Sequence, residues 1–317
     1  MYPSIKPFNS FFLKTDDKKH SIYVEECGNK NGMPIIYLHG GPGGSIDPKN
    51  RRYFNPKKYR IILFDQRGSG KSNTEGSIVN NTTNDLVNDM EKIRNILKIK
   101  KWLLFGGSWG STLALIYSIK NNTKVLGMIL RGVFLGTKKE AYWAFNESSK
   151  YFYPEVINSI EKRFKNNKKE VFLKLGKMLE SKKKKDRIIS SILWDKYERT
   201  LSVLNPGKIN LKEFLKIYKV KKLPNSPFLE CHYTKNNFFL KENEILLGMK
   251  KIKKIPTIII QGRYDLICPP RSAFLVANKM SNCNLNIVEN SGHSTSEINI
   301  RKQLIKASDQ IFNEVKK

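Results

Sequence analysis

The sequence predicts an α/β fold, a doubly wound and mostly parallel sheet with an inserted helical cap. Three observations predict it. Short continuous apolar runs recur at 34–38, 59–64, 102–105, 125–130, 255–260 and 285–288, the pattern of strands covered on both faces. Helical patterns separate several of these runs, and alternation of the two element types builds a parallel sheet. The stretch from about Thr137 to Asn243 breaks the rhythm. With 317 residues, 39% of them hydrophobic, the chain can bury one large core and still carry an insertion. The expected organisation is 1–136 as the first part of the core, 137–243 as the cap and 244–317 as the second part.

The elements follow in order. Residues 10–26 alternate around the polar turn Asp16-Asp17-Lys18-Lys19 and read as an antiparallel hairpin. Leu86, Met90, Ile93 and Leu97 share one helical face, with Thr83 or Asp85 available to start that helix. Further helices are expected over Thr112–Ile119, Arg271–Met280 and Glu297–Val315. The insertion is rich in aromatic residues and lysine and helical in pattern, without convincing strands.

Composition excludes several classes. No stretch approaches the ~20 apolar residues that span a bilayer. The first residues lack the apolar core and small-residue cleavage site of a signal peptide, so a cytoplasmic protein that works at no membrane is expected. Cys27, Cys231, Cys268 and Cys283 form no CxxC pair and no metal-ligand spacing, so free thiols, no metal and no cofactor are expected. The net charge of +30 sits in scattered clusters such as Lys168-Lys169 and Lys182-Lys183-Lys184-Lys185. Stacking aromatics are not interleaved with them, so they read as solvated faces rather than a nucleic-acid surface.

Gly106-Gly107-Ser108-Trp109-Gly110 fits G-x-S-x-G, between an apolar run and a helical one. That context is the nucleophile elbow of the α/β-hydrolase fold, a turn so tight that glycines must flank the serine. Ser108 is the expected nucleophile. In this fold the order is serine, carboxylate, histidine, which removes His20 and His39. His232 falls in the insertion, and His293 follows the last strand in Asn290-Ser291-Gly292-His293-Ser294, so His293 is the expected base. Asp265 directly follows the run ending at Gln261 and is the expected orienting carboxylate. Backbone N–H groups must meet the developing oxyanion. One is expected from Trp109, the other from Gly41 in His39-Gly40-Gly41-Pro42-Gly43-Gly44. The sequence Asp65-Gln66-Arg67-Gly68-Ser69-Gly70-Lys71-Ser72 ends like a phosphate-binding loop. Asp65 stands where that motif requires glycine, which leaves a strand-exit turn.

HGGPGG, DQRGSGKS, NNTTNDLV, GGSWGSTLAL, LRGVF, GRYDLICPP and SGH together resemble the proline iminopeptidases (prolyl aminopeptidases). The likeness spans nearly the whole core and is patchier in the cap. It implies an α/β-hydrolase core with a helical cap, and release of N-terminal proline from small peptides. It implies Ser108, Asp265 and His293 as the triad, with Gly41 and Trp109 as oxyanion donors. It also implies Glu198 and Glu230 as cap carboxylates that hold the substrate's free amine, and Phe134 and Cys268 as walls of the proline pocket. Buried carboxylates are costly without a partner, and the substrate's ammonium would be that partner. The chain departs from the family pattern at Asn84, Ser45, Phe145 and Tyr197, so other small N-terminal residues are expected to be accepted. The alternative is a serine esterase or amidase acting on small acyl groups with the same triad.

Overall fold

The computed structural model describes residues 1–72, 76–164, 171–217 and 223–316. Lys168 and Lys169 lie outside the described residues. Eight strands form one sheet in the order β1-β2-β4-β3-β5-β6-β7-β8. They are β1 Asn9–Lys14, β2 Ser21–Gly28, β3 Met33–Leu38, β4 Tyr59–Phe64, β5 Trp102–Ser108, β6 Val125–Val133, β7 Thr257–Gly262 and β8 Cys283–Val288. β1 and β2 pair antiparallel, β2 pairs antiparallel with β4, and every later pairing is parallel. The order reverses at β3, so the loops after β3 and β5 diverge and leave a crevice at the strands' carboxyl ends.

Both sheet faces are covered, which is why the strand sequences show no polar alternation. Ile36, Leu38, Ile62, Leu104, Met128 and Leu130 belong to a core cluster with the helices α1 Thr83–Ile96 and α2 Trp109–Lys120. Ile35, Ile61, Leu103, Phe105, Ile129 and Ile258 lie in a second cluster, with Ile300, Leu304 and Ile311 of the terminal helix. Helix α1 begins one residue earlier than expected. Thr82 is its cap, accepting from the Asp85 N–H while the Asp85 carboxylate accepts from the Thr82 N–H. β7 starts at Thr257 rather than at Ile255, because Pro256 has no N–H to give a ladder.

Between β6 and β7 the described residues form helices: α3 Lys138–Tyr142, α4 Ser148–Phe152, α5 Pro154–Arg163, α6 Val171–Leu179, α7 Lys184–Ser202, α8 Leu211–Leu215, α9 Ser226–Lys235 and α10 Glu244–Gly248. α11 Pro270–Ala277 and α12 Ile298–Val315 follow in the core. A buried aromatic cluster of Phe172, Trp194 and Tyr197 holds α6 against α7, with ring centroids 4.6 and 4.8 Å from Phe172. Lys182 to Lys185 are exposed. Among the described residues no helix is long and apolar enough to cross a membrane.

Candidate active site

Ser108 ends β5 and caps α2 with φ 57° and ψ −127°. This is a conformation that L-residues rarely hold. Its sharp turn requires close packing on both sides. A side chain at Gly106 would strike the Gly110 carbonyl at 2.2 Å, and one at Gly110 would strike the Leu38 carbonyl at 2.1 Å. Trp109 is the first residue of α2, so its N–H has no carbonyl within the helix to bond. Gly40 lies beside Ser108, the position of its missing Cβ being 3.3 Å from Ser108 Cβ. The loop carrying Gly41 is braced from below. Gln66 N–H donates to His39 Nε2 at 2.9 Å, and the Gln66 amide donates to the His39 carbonyl and accepts from Trp109 Nε1, both at 2.9 Å. His39 is thus a neutral structural residue, its pKa lowered by burial. Asp65 accepts from Ile46 N–H and Lys71 N–H at 2.7 and 2.8 Å, so it closes the turn as a hydrogen-bond acceptor.

Asp265 and His293 meet directly, His293 Nδ1 donating to Asp265 Oδ2 at 2.7 Å. Asp265 Oδ1 accepts from the Ile267 and Cys268 N–H groups, at 3.0 and 2.8 Å, which fixes its orientation. Burial lowers the His293 pKa, Asp265 opposes that by raising it, and Arg131 lowers it further. Gly132 makes room for the pair: it has φ 52°, and a side chain there would sit 2.9 Å from His293 Cε1 and 3.1 Å from Asp265 Oδ2. Among the described residues no hydrogen bond joins Ser108 Oγ to His293. His293 Nε2 instead receives Arg131 Nη1 at 2.9 Å, and the Ser108 hydroxyl interacts with the Cys268 thiol. Burial and the Asp265 charge push that thiol well above its usual range, so it stays protonated.

The two cap glutamates also meet. Glu230 is 1% exposed, and its Oε2 accepts from Trp194 Nε1 at 2.6 Å. Its Oε1 is buried without a hydrogen-bond partner. Burial and the adjacent Glu198 carboxyl push Glu230 well above the carboxylate range. Burial pushes Glu198 up to about 7. Two carboxyls so placed favour keeping a proton between them. Both glutamates are tied to the core. α9, which carries Glu230, packs on the glycine-rich loop after β3, with Ser226 Cα 2.8 Å from where a Gly43 side chain would begin. α7, which carries Glu198, ends at Ser202, whose carbonyl accepts from the His293 and Ser294 N–H groups at 2.9 and 2.7 Å.

Phe134 is buried against Phe238, with ring centroids 4.9 Å apart, and Phe238 stacks on Trp109 at 6.0 Å. Phe238 comes from Asn237–Phe239, three successive residues at φ 50°, 54° and 53°. Sequence reading missed Phe238, Arg131, Gly132 and Trp194. It also missed Glu140, whose carboxylate accepts from the Leu135 and Thr137 N–H groups at 3.1 Å and from Ser272 Oγ at 2.5 Å. Among the departures, Phe145 packs 5.2 Å from Trp194, whereas Asn84 and Ser45 are exposed. Among the described residues no three His, Cys, Asp or Glu side chains converge as a metal site.

A sequence profile described as the alpha/beta hydrolase fold matches residues 33–299. A proline iminopeptidase of Arabidopsis thaliana is 40% identical over 314 residues, covering 98% of this chain and 82% of its own. A probable proline iminopeptidase of Leptolyngbya boryana is 39% identical over 317 residues, covering 98% and 96%. The chain belongs to the proline iminopeptidase family of α/β-hydrolases. Solved structures agree on the fold of this family. An α/β fold family hydrolase from Bacillus anthracis superposes with a TM-score of 0.62 at 19% identity, over 98% of this chain and 100% of that one. An esterase from Exiguobacterium antarcticum gives 0.60 at 21%, over the same shares.

Proposed function

We propose that the chain is a serine exopeptidase that releases N-terminal proline from small peptides through an acyl-enzyme on Ser108. The observation that carries this reading is the Glu198–Glu230 pair beside Trp194, with Glu230 buried and Glu198 half-buried, a site suited to exchange its proton for a cation. An N-terminal prolyl ammonium is such a cation, and a neutral ester needs no such pair. Phe134 and Cys268 wall the pyrrolidine ring. Ser108 Oγ attacks the prolyl carbonyl while His293 Nε2 takes its proton, and Asp265 holds the Nδ1–H tautomer. The Gly41 and Trp109 N–H groups meet the oxyanion. His293 then protonates the departing amine, and water releases proline from the ester by the same steps. The partners in this reading are small peptides, with neither nucleic acid nor membrane involved.

Blocked and free proline amides test it. Blocking the amine leaves a buried charge pair without its partner, which costs about 2–5 kcal/mol, or roughly thirty- to several-thousand-fold in kcat/KM. Glu230→Gln is expected to lower kcat/KM strongly for the free amine and hardly at all for a small neutral ester. Equal rates on blocked and free amides would establish the esterase instead.

A further inference from the structure

Arg131 stands on β6 opposite Gly107 of β5, one residue before the nucleophile. Its Nη1 donates to His293 Nε2 at 2.9 Å and to the His293 carbonyl at 3.0 Å. It lies close against Gly107, where a side chain would sit 2.5 Å from Nη2 and 2.8 Å from Cζ. Its Nε is buried without a partner. Among the described residues no carboxylate forms an ion pair with it. A guanidinium can only donate, so His293 Nε2 must accept, and the ring proton must sit on Nδ1 facing Asp265.

We propose that Arg131 is a positioning residue that gates the base: it holds His293 as the neutral Nδ1–H tautomer at rest, and yields Nε2 to Ser108 before acylation. The proposal rests on reading Ser108, Asp265 and His293 as the triad. Two consequences follow from the charge. A guanidinium 2.9 Å from Nε2 opposes protonation there, so the resting enzyme keeps a competent base at lower pH. It also occupies the lone pair that Ser108 needs, so its withdrawal precedes each acylation. The second bond, to the His293 carbonyl, gives the guanidinium an anchor while Nε2 is free. The other charged groups that act on the ring are Asp265 and Glu297, and both act against Arg131.

The test uses a small fluorophosphonate, whose attack on Ser108 needs the base but no amine recognition. It therefore stays readable even if proline amides are not cleaved. The acid limb of the inactivation rate is expected to rise by roughly 1–3 pH units in Arg131→Met, the scale of a neighbouring charge. Above that limb Arg131→Met should be labelled faster than the unaltered protein, because Nε2 has lost its competitor. Arg131→Lys keeps the charge and should keep the limb within about half of that shift. An acid limb unmoved in Arg131→Met overturns the proposal, as a merely structural arginine would leave it in place. A second measurement needs no variant. The histidine ¹⁵N spectrum at pH 6 is expected to show His293 proton-bearing at Nδ1 and accepting at Nε2. An imidazolium or an Nε2–H tautomer there would overturn the gate. A proline amide left uncut while the limb moves as expected would instead count against the substrate reading alone.

Discussion

Ser108 shows what a single residue contributes and what it costs. Its φ of 57° with ψ −127° is a strained conformation, of the kind that costs about 1–3 kcal/mol where the surroundings enforce it. Glycine would relieve that strain and give back only about 0.4–1 kcal/mol through a more flexible unfolded chain. Ser108→Gly is therefore expected to be inactive yet more stable than Ser108→Ala, by roughly 1 kcal/mol. Urea midpoints at constant m-value check this, and an alanine variant of equal or greater stability would show the elbow to be relaxed. The tight turn at Ser108 was legible in the sequence, because glycines must flank such a turn and the motif is local. The meeting of His293 with Asp265 was legible through chain order alone. Arg131 and Gly132 were not, since their places depend on the pairing of β5 with β6, which no local pattern encodes. Glu230 and Glu198 were legible only through family likeness. Two glutamates 32 residues apart in helical sequence look like any surface pair until α7 and α9 pack together.

At the scale of elements, the least expected segment is the left-handed turn Asn237–Phe239. Nothing in Asn-Asn-Phe-Phe announces three residues at positive φ, a conformation usual only for glycine. Tertiary packing enforces it. The turn drives Phe238 between Phe134 and Trp109, while its carbonyl accepts from Thr83 Oγ1 at 2.5 Å. Phe238→Ala should lose about 3–5 kcal/mol, read as a lower urea midpoint. It should also raise KM for proline amide more than it lowers kcat, since its ring backs Phe134 rather than touching the reacting atoms. A fall in kcat alone would place Phe238 in support of the oxyanion turn instead. The sheet elements were far easier to foresee. Strands buried on both faces are continuous apolar runs, and errors were confined to ends such as Ile255-Pro256, where a missing N–H decides.

The whole molecule carries a stability that depends on pH through the carboxyl pair. Glu198 is raised from its ordinary 4.5 to about 7 by burial, and burial with the adjacent Glu198 raises Glu230 well above the same ordinary value. The folded state therefore binds more protons than the unfolded chain between pH 4.5 and 7. By linkage, stability falls as pH rises through that window. Urea midpoints at pH 5 and pH 8 should differ more for the unaltered protein than for Glu198→Gln, which has lost one of the two raised carboxyls. Identical differences would mean that the pair is not protonated at pH 5. The same molecule returns the chain from the helical insertion close to where it left. Leu240 lies 2.9 Å from where a Gly136 side chain would begin, and Glu140 ties the exit of β6 to α11 beside it. An insertion closed at a neck is a loop, and the entropy of closing a loop grows only logarithmically, by about 0.6 kcal/mol for each doubling of length. Residues can be added to or trimmed from its far side while the sheet below registers almost nothing. Selection on the far side of the insertion can thus proceed largely independently of selection on the sheet and the residues it presents.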